Sequence, residues 1–377
     1  MSDDDDIIDF KGGNLEPKQF DLFSDFLGLV KNKNEYSNLL GDYSLLPICI
    51  LSHRDQNKVR LSGETNSILT SFVNKHGDRY SCSITPALLP IPPALKSRYK
   101  SSFKNEDDLN SAVFSKVLYP FYPGDFEFYL DRVLHKMLID VNLRKYKSTK
   151  KETWVKFNYV ILRENLSLIK KSLSVPQIKH ALDVMLGSRV VIRKNGSVIH
   201  DGGMLVDRIG DDELSSKNTS MGAVLLPPIV TSIILNCDFS HYNFLLNNVF
   251  GNRLSTWIAD RMTSQFRNVD FGSYNVFSIT LKEILNESYL ITDKHLKYQR
   301  RTIKRAVDEL IKQNYIFNPL DEKGVAFFDE DIQYVMKQGK RYIDDVIYKL
   351  HPSPHFVKMI LRSNKIGSEI KNLKPKK

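Results

Sequence analysis

Lys297, Tyr298, Arg300, Arg301, Lys304, Arg305 and Lys312 crowd one short stretch of the chain, and they suit one kind of chemistry. Ammonium and guanidinium groups neutralise phosphate, and the planar fork of arginine also fits the O6 and N7 edge of guanine. Among these residues Ile303, Ala306, Val307, Leu310 and Ile311 recur at helical spacing, which predicts a helix with one apolar stripe. Tyr298, Arg301, Arg305 and Lys312 stand opposite the stripe, with Lys297, Arg300 and Lys304 on its flanks. A helix that buries one stripe and turns arginines outward has the form of a helix-turn-helix recognition helix. A solvated basic face is the plainer reading of the same residues, and the flanking elements weigh against it.

Upstream, Thr280 and Glu283 form a capping box that opens a first helix, and Tyr274 to Ile279 alternates as a strand. Phe250, Leu254, Trp257, Ile258 and Met262 give Ser240 to Phe266 the stripe of a long helix. Downstream, Tyr315 to Phe317 and Val325 to Phe328 read as strands around the turn cluster Asp321, Glu322, Lys323 and Gly324, a hairpin wing. The same order occurs earlier. Phe126 to Ile139 is a helix, Trp154 to Phe157 a strand, and Ile161 to Ile169 a further apolar-periodic segment. Ser174 with Gln177 caps the next helix, Pro176 occupies its first turn, and Ile178, Ala181, Leu182 and Met185 face inward. Arg189 to Ile192 and Ser197 to Ile199 flank Asn195-Gly196, the strongest short hairpin signal because a type I′ turn needs positive φ twice. This earlier module offers Lys179 and His180 on its second helix and Arg193 and Lys194 at its wing as DNA contacts, a poorer basic surface than the later one.

These patterns predict an α+β, helix-rich chain built on two tandem winged-helix domains with small β-hairpin wings. The expected division is an N-terminal region at 1–111, a first winged helix at 112–210, a linker at 211–227, a second, DNA-binding winged helix at 228–335, and a C-terminal helical extension with a basic tail at 336–377. The first of these is the least legible, although Tyr80 to Ile84 and Leu45 to Leu51 look like strands. Lys96, Arg98, Lys100 and Lys104 interleave with Tyr99 and Phe103, which suits a surface linker better than a grip on phosphate. A formal net charge of +10 over 377 residues gives a field that attracts nucleic acid. Three cysteines, Cys49, Cys82 and Cys237, are too few and too scattered for a disulfide framework or a zinc ribbon, which points to a reducing, cytoplasmic compartment. No apolar run approaches membrane-spanning length and no leader opens the chain, so no membrane partner is expected.

Catalytic patterns are sparse. No Gly-rich loop with Lys and Ser/Thr provides a triphosphate cradle. His351 and His355 have metal-ligand spacing for a helix, but Pro352 and Pro354 stand between them. His241 beside Tyr242 reads as part of a packed helix, and Asp211, Asp212 and Glu213 as solvated loop carboxylates. The expectation is a non-enzyme with no catalytic residue, no metal and no cofactor.

The chain resembles the plasmid replication initiators, the Rep proteins of theta-replicating bacterial plasmids built from tandem winged helices. The segments that carry the resemblance are ITPALLP at Ile84 to Pro90, FYPGDFEFYLDRVLHKM at Phe121 to Met137 and SLSVPQIKHALDVMLGSRVVI at Ser172 to Ile192. HYNFLLNNVFGNRLSTWIADRMTSQF at His241 to Phe266 and DDVIYKLHPSPHFVKMILRSNK at Asp344 to Lys365 complete the set. Their order over residues 84–365 carries more weight than any one of them. The weakly basic first recognition-like helix departs from the pattern. The resemblance implies a cytoplasmic bacterial protein that binds origin repeats in double-stranded DNA, helps open adjacent duplex, and draws in the host replicative helicase and initiator. It also implies a homodimer through the first module. A winged-helix transcriptional repressor remains the alternative, and a DNA-nicking enzyme a remote one.

Overall fold

Two separate apolar clusters organise the chain, one around Leu130, Leu162, Ile178 and Val224 and one around Ile258, Ile303, Leu310 and Tyr348. The computed structural model describes residues 37–39, 48–49, 67–73, 77–103, 105–114, 117–144, 152–209, 221–235, 240–242, 250–266, 276–291, 295–317, 328–337 and 340–361. The fold is α+β, with helices packed on several small antiparallel sheets. Among the described residues no helix is long and apolar enough to cross a membrane.

The first body begins with β1 (Ser37–Leu39), β2 (Ile68–Val73), β3 (Arg79–Thr85) and β4 (Ala87–Pro90). A 3-10 helix (Pro93–Ser102), α1 (Glu106–Phe114), β5 (Leu118–Phe121) and α2 (Asp125–Arg144) follow. Next come β6 (Trp154–Asn158), α3 (Tyr159–Leu168), α4 (Val175–Gly187), the hairpin β7 (Arg189–Lys194) and β8 (Ser197–Gly202), then β9 (Asp207–Ile209), β10 (Met221–Leu225) and α5 (Pro228–Leu235). Local chemistry explains the helix starts. Asn158 accepts from the Ile161 N–H at 2.7 Å at the head of α3, and Gln177 accepts from the Ser174 N–H at 2.8 Å at the head of α4. The hairpin turn is as read from sequence, with φ of 50° at Asn195 and 87° at Gly196.

Three expected boundaries need correction. β3 pairs with β7 from Tyr80↔Lys194 to Thr85↔Arg189 in the four-stranded sheet β2-β3-β7-β8, so part of the N-terminal region completes the first body. β10 lies inside the expected linker yet pairs along the whole of β6, and Val224 is fully buried. Val230 and Ile234 of α5 also join the first cluster rather than the second. Each partner strand is distant in sequence, so no local periodicity marks the pairing.

The second body holds α6 (Arg253–Gln265), β12 (Phe277–Thr280), α7 (Leu281–Glu283), a π-helical turn (Ile284–Ser288) and α8 (Leu296–Lys312). β13 (Phe328–Lys337), β14 (Lys340–Leu350) and a helix at 354–361 complete it. The expected long helix at 240–266 is shorter: Ser240–Tyr242 is a strand, β11, paired with β1, and α6 starts only where Asn252 accepts from the Leu254 N–H at 2.9 Å. The hairpin of this body also lies elsewhere than expected. Its strands are β13 and β14, in a sheet ordered β12-β14-β13, and the expected boundary at 335 falls within β13. Of the strand expected at 315–317, Ile316 makes one isolated bridge, to Pro352. The turn cluster 321–324 lies outside the described residues. β14 replaces part of the expected helical extension because Val346, Tyr348 and Leu350 are buried in alternation, a period of two.

Candidate nucleic-acid interface

α8 is fastened along one side. Ile303, Ala306, Val307 and Leu310 are buried in the second cluster, and Glu309 accepts from Ser255 Oγ at 2.7 Å and from the Asn252 N–H at 3.2 Å. The helix therefore cannot roll on α6 without breaking both bonds. On the opposite side Lys297, Tyr298, Arg301, Lys304, Arg305, Asp308 and Lys312 are exposed. Among the described residues, none of the five cations in that set is held in an ion pair. Asp308 is the one acid within the stripe. Arg300 is half-buried at the margin of the core, which sets it apart from the other arginines expected to face DNA.

Strong local signals set the start of α7 and the far end of α8. At the start of α7, the Glu283 N–H donates to Thr280 Oγ1 at 3.0 Å while the Thr280 N–H donates to Glu283 Oε2 at 2.7 Å, the capping box read from sequence. The turn that follows is π-helical rather than α, and it stops at Tyr289, whose φ is 56°. Behind α8, Asn314 takes a φ of 57° and the Tyr315 N–H donates to the Leu310 carbonyl at 2.9 Å, which turns the chain sharply.

The β13–β14 hairpin brings basic residues that sequence reasoning missed. The register Met336↔Arg341 and Lys337↔Lys340 places Lys337, Lys340 and Arg341 at the far end of the β13–β14 hairpin. The signal was present in Lys337-Gln338-Gly339-Lys340, two basic residues around a two-residue, Gly-containing turn.

The first module does not offer the surface expected of it. His180 is buried, edge-on to Phe121 and to Tyr99, and Val184 beside it joins a third cluster with Ile91, Leu95, Leu109 and Val113. Lys179 is half-buried with Nζ 5.2 Å over the Tyr159 ring. Arg208 covers the remainder, donating to Asp183 at 2.5 Å, to the Lys179 carbonyl at 3.3 Å and to Tyr159 Oη at 3.2 Å. Burial pushes the Asp183 carboxyl up, against the pull of Arg208. α4 is thus sandwiched between two clusters, and its expected DNA-facing residues are used internally. The segment from β4 to β5 that covers it carries no sequence signal linking it to α4. At the β7–β8 hairpin Lys194 pairs with Asp78 at 2.8 Å and Arg193 is half-buried.

Among the described residues no group of His, Cys, Asp and Glu is assembled to hold a metal ion. His351 follows the last strand and His355 lies in the helix at 354–361, so they do not share one helix.

The two bodies meet along a charged seam. Arg132 of α2 pairs with the buried Asp260 of α6, and Arg253 of α6 pairs with Asp125 of α2 at 3.0 Å. Both guanidiniums lie over the Phe128 ring, at 4.5 and 4.6 Å from its centroid.

No family model matches the chain, and no curated protein matches it. Among solved structures it is similar to a crystal structure of domains 2 and 3 of RctB, at 10% identity and a TM-score of 0.43, covering 83% of this chain and 96% of that one. A second structure of RctB domains 2–3 is similar at 12% identity and a TM-score of 0.39, covering 79% of this chain and 94% of that one.

Proposed function

We propose that this chain is a sequence-specific, double-stranded-DNA-binding replication initiator whose reading head is the second module. The observation that carries the reading is α8, which is pinned on one side by a buried stripe and Glu309 and exposes Arg301 and Arg305 with three lysines on the other. At ~1.5 Å per residue the helix is ~25 Å long, enough to lie along the major groove, ~12 Å wide. The order strand, helix, helix, hairpin supports a winged helix in which α8 enters the major groove and the β13–β14 tip reaches phosphate beside it. In the proposed role the chain binds repeats at a plasmid origin, promotes opening of adjacent duplex, and draws in the host replicative helicase and initiator. The first module, whose α4 is covered, serves contacts between proteins, including a homodimer.

The test uses purified full-length chain and a duplex carrying the direct repeats that flank its gene. Tight, competitor-resistant binding and maintenance of a plasmid holding only that origin are expected. Affinity should fall with salt at a log–log slope near −0.9 per phosphate contacted. Binding without plasmid maintenance would make the chain a repressor. Metal-dependent nicking that one tyrosine substitution removes would make it a nicking enzyme.

A further inference from the structure

Among the described residues β2 is the outer strand of the sheet β2-β3-β7-β8, with β3 as its one strand partner. Its other edge holds N–H groups that must find partners, because an unsatisfied backbone donor in a contact surface is costly. Those partners come from the second body. The Ser71 N–H donates to Tyr289 Oη at 3.2 Å, and the Val73 N–H donates to the Glu287 carboxylate. Between them Phe72 is buried and stacked on Tyr80 at 5.0 Å. Arg261 of α6 lies 5.9 Å over the Phe72 ring and 5.5 Å over the Trp257 ring, and pairs with Glu287.

The two acceptors sit in the least regular backbone ahead of α8. Glu287 lies in the π-helical turn, and Tyr289 is a non-glycine residue in the left-handed region. Both conformations are unfavourable alone and persist only where surroundings impose them. α8 begins shortly afterwards, at Leu296, and its far half is already pinned to α6 through Glu309. What remains to be set is the near half, where Lys297, Tyr298 and Arg301 stand.

We propose that Glu287 and Tyr289 are positioning residues, through which the free edge of β2 in the first body clamps the π-turn and fixes the setting of α8 on DNA. The inference rests on α8 being the DNA reader. It gives the first body a part in sequence recognition that needs no DNA contact of its own. The clamp works through packing: Leu290 and Ile291, directly after the turn, and Leu296, at the start of α8, press on the same cluster, so a shift of the turn shifts the near end of α8 and takes the guanidinium of Arg301 out of register with the bases.

Two sets of substitutions release the clamp from opposite sides. Glu287→Ala with Tyr289→Phe removes the acceptors. Ser71→Pro with Val73→Pro removes the donors at an outer edge, where proline is tolerated. Each set should lower discrimination between the repeat and a mismatched duplex by about 10-fold, the size of one lost bidentate base contact, while the salt dependence stays unchanged. Combining the sets should add little, because both break one interaction. A merely destabilised protein would lose affinity for matched and mismatched duplex in parallel, and that outcome overturns the proposal. Hydrogen exchange on the free chain gives a readout that needs no DNA. Amides of residues 284–291 and 296–300 should exchange faster in either set while those of α2 and α6 stay protected, and unchanged exchange would also overturn it. If the wild-type chain shows no discrimination at all, the DNA-reading premise fails while the exchange result still reports on the clamp.

Discussion

His180 lies edge-on against Phe121, with ring centroids 4.6 Å apart and planes at 83°. That contact joins α4 to the β4–β5 ribbon and closes the helix face that sequence pattern assigns to DNA. Two of the module's cations are engaged inside it: Lys179 rests on Tyr159, and Lys194 is held by Asp78 and lies near Tyr80.

Two substitutions separate these roles. Lys179→Ala is expected to change DNA affinity by less than about 0.5 kcal/mol, as for a surface change away from the interface. Phe121→Ala, which empties space against both His180 and Tyr99, should cost about 3–5 kcal/mol of stability. Titrations with origin duplex and urea denaturation read the two effects, and a large affinity loss for Lys179→Ala would return α4 to the interface.

Arg301 and Arg305 face away from the buried stripe one helical turn apart. Each alanine substitution should cost about 1–3 kcal/mol of specific binding and relax preference at one base position. Arg300→Ala is expected to differ, lowering stability more than specificity, because Arg300 is half-buried. Selection from a randomised duplex pool would reveal the relaxed positions.

Lys297, Lys304 and Lys312 on α8 and Lys337, Lys340 and Arg341 at the wing tip are expected to contact phosphate. Their loss should weaken matched and unmatched duplex alike. The salt slope should become shallower by ~0.9 for every contact removed. A wing-tip triple alanine variant with an unaltered slope would place the tip away from DNA.

Thr280→Ala removes the acceptor that receives the Glu283 N–H at 3.0 Å and should lower stability by about 1 kcal/mol. The helix it opens is short and leads directly into the π-turn, so the same variant should speed amide exchange over residues 281–288. Denaturant midpoint and exchange rates test the two halves of this expectation independently.

Burial pushes the Cys82 thiol up to about 12 and that of Cys49 well above its usual value. At pH 8 both stay protonated in the folded chain and make poor nucleophiles. Alkylation at these two positions should appear only as denaturant unfolds the first body, and rapid labelling of the native chain would show that this core opens.

Sequence alone determined the features that depend on near neighbours. The box of Thr280 and Glu283, the bond from Ser174 to Gln177, the turn at Asn195-Gly196 and the stripe of α8 each join residues a few positions apart, so propensity, capping and periodicity suffice to find them. For the same reason the separation of Arg301 and Arg305 from the buried stripe is legible in helical periodicity alone. Tertiary structure decided what lies across long loops. β3 completes the sheet of β7, β10 turns an expected linker into part of a core, and β14 replaces an expected helix, because strand pairing is satisfied by partners far apart in the chain as readily as by adjacent ones. Burial decided the rest. Helical periodicity identifies the side of α4 that faces its own core, but it carries no information about a second layer, and Tyr99, Phe121 and Val184 supplied one.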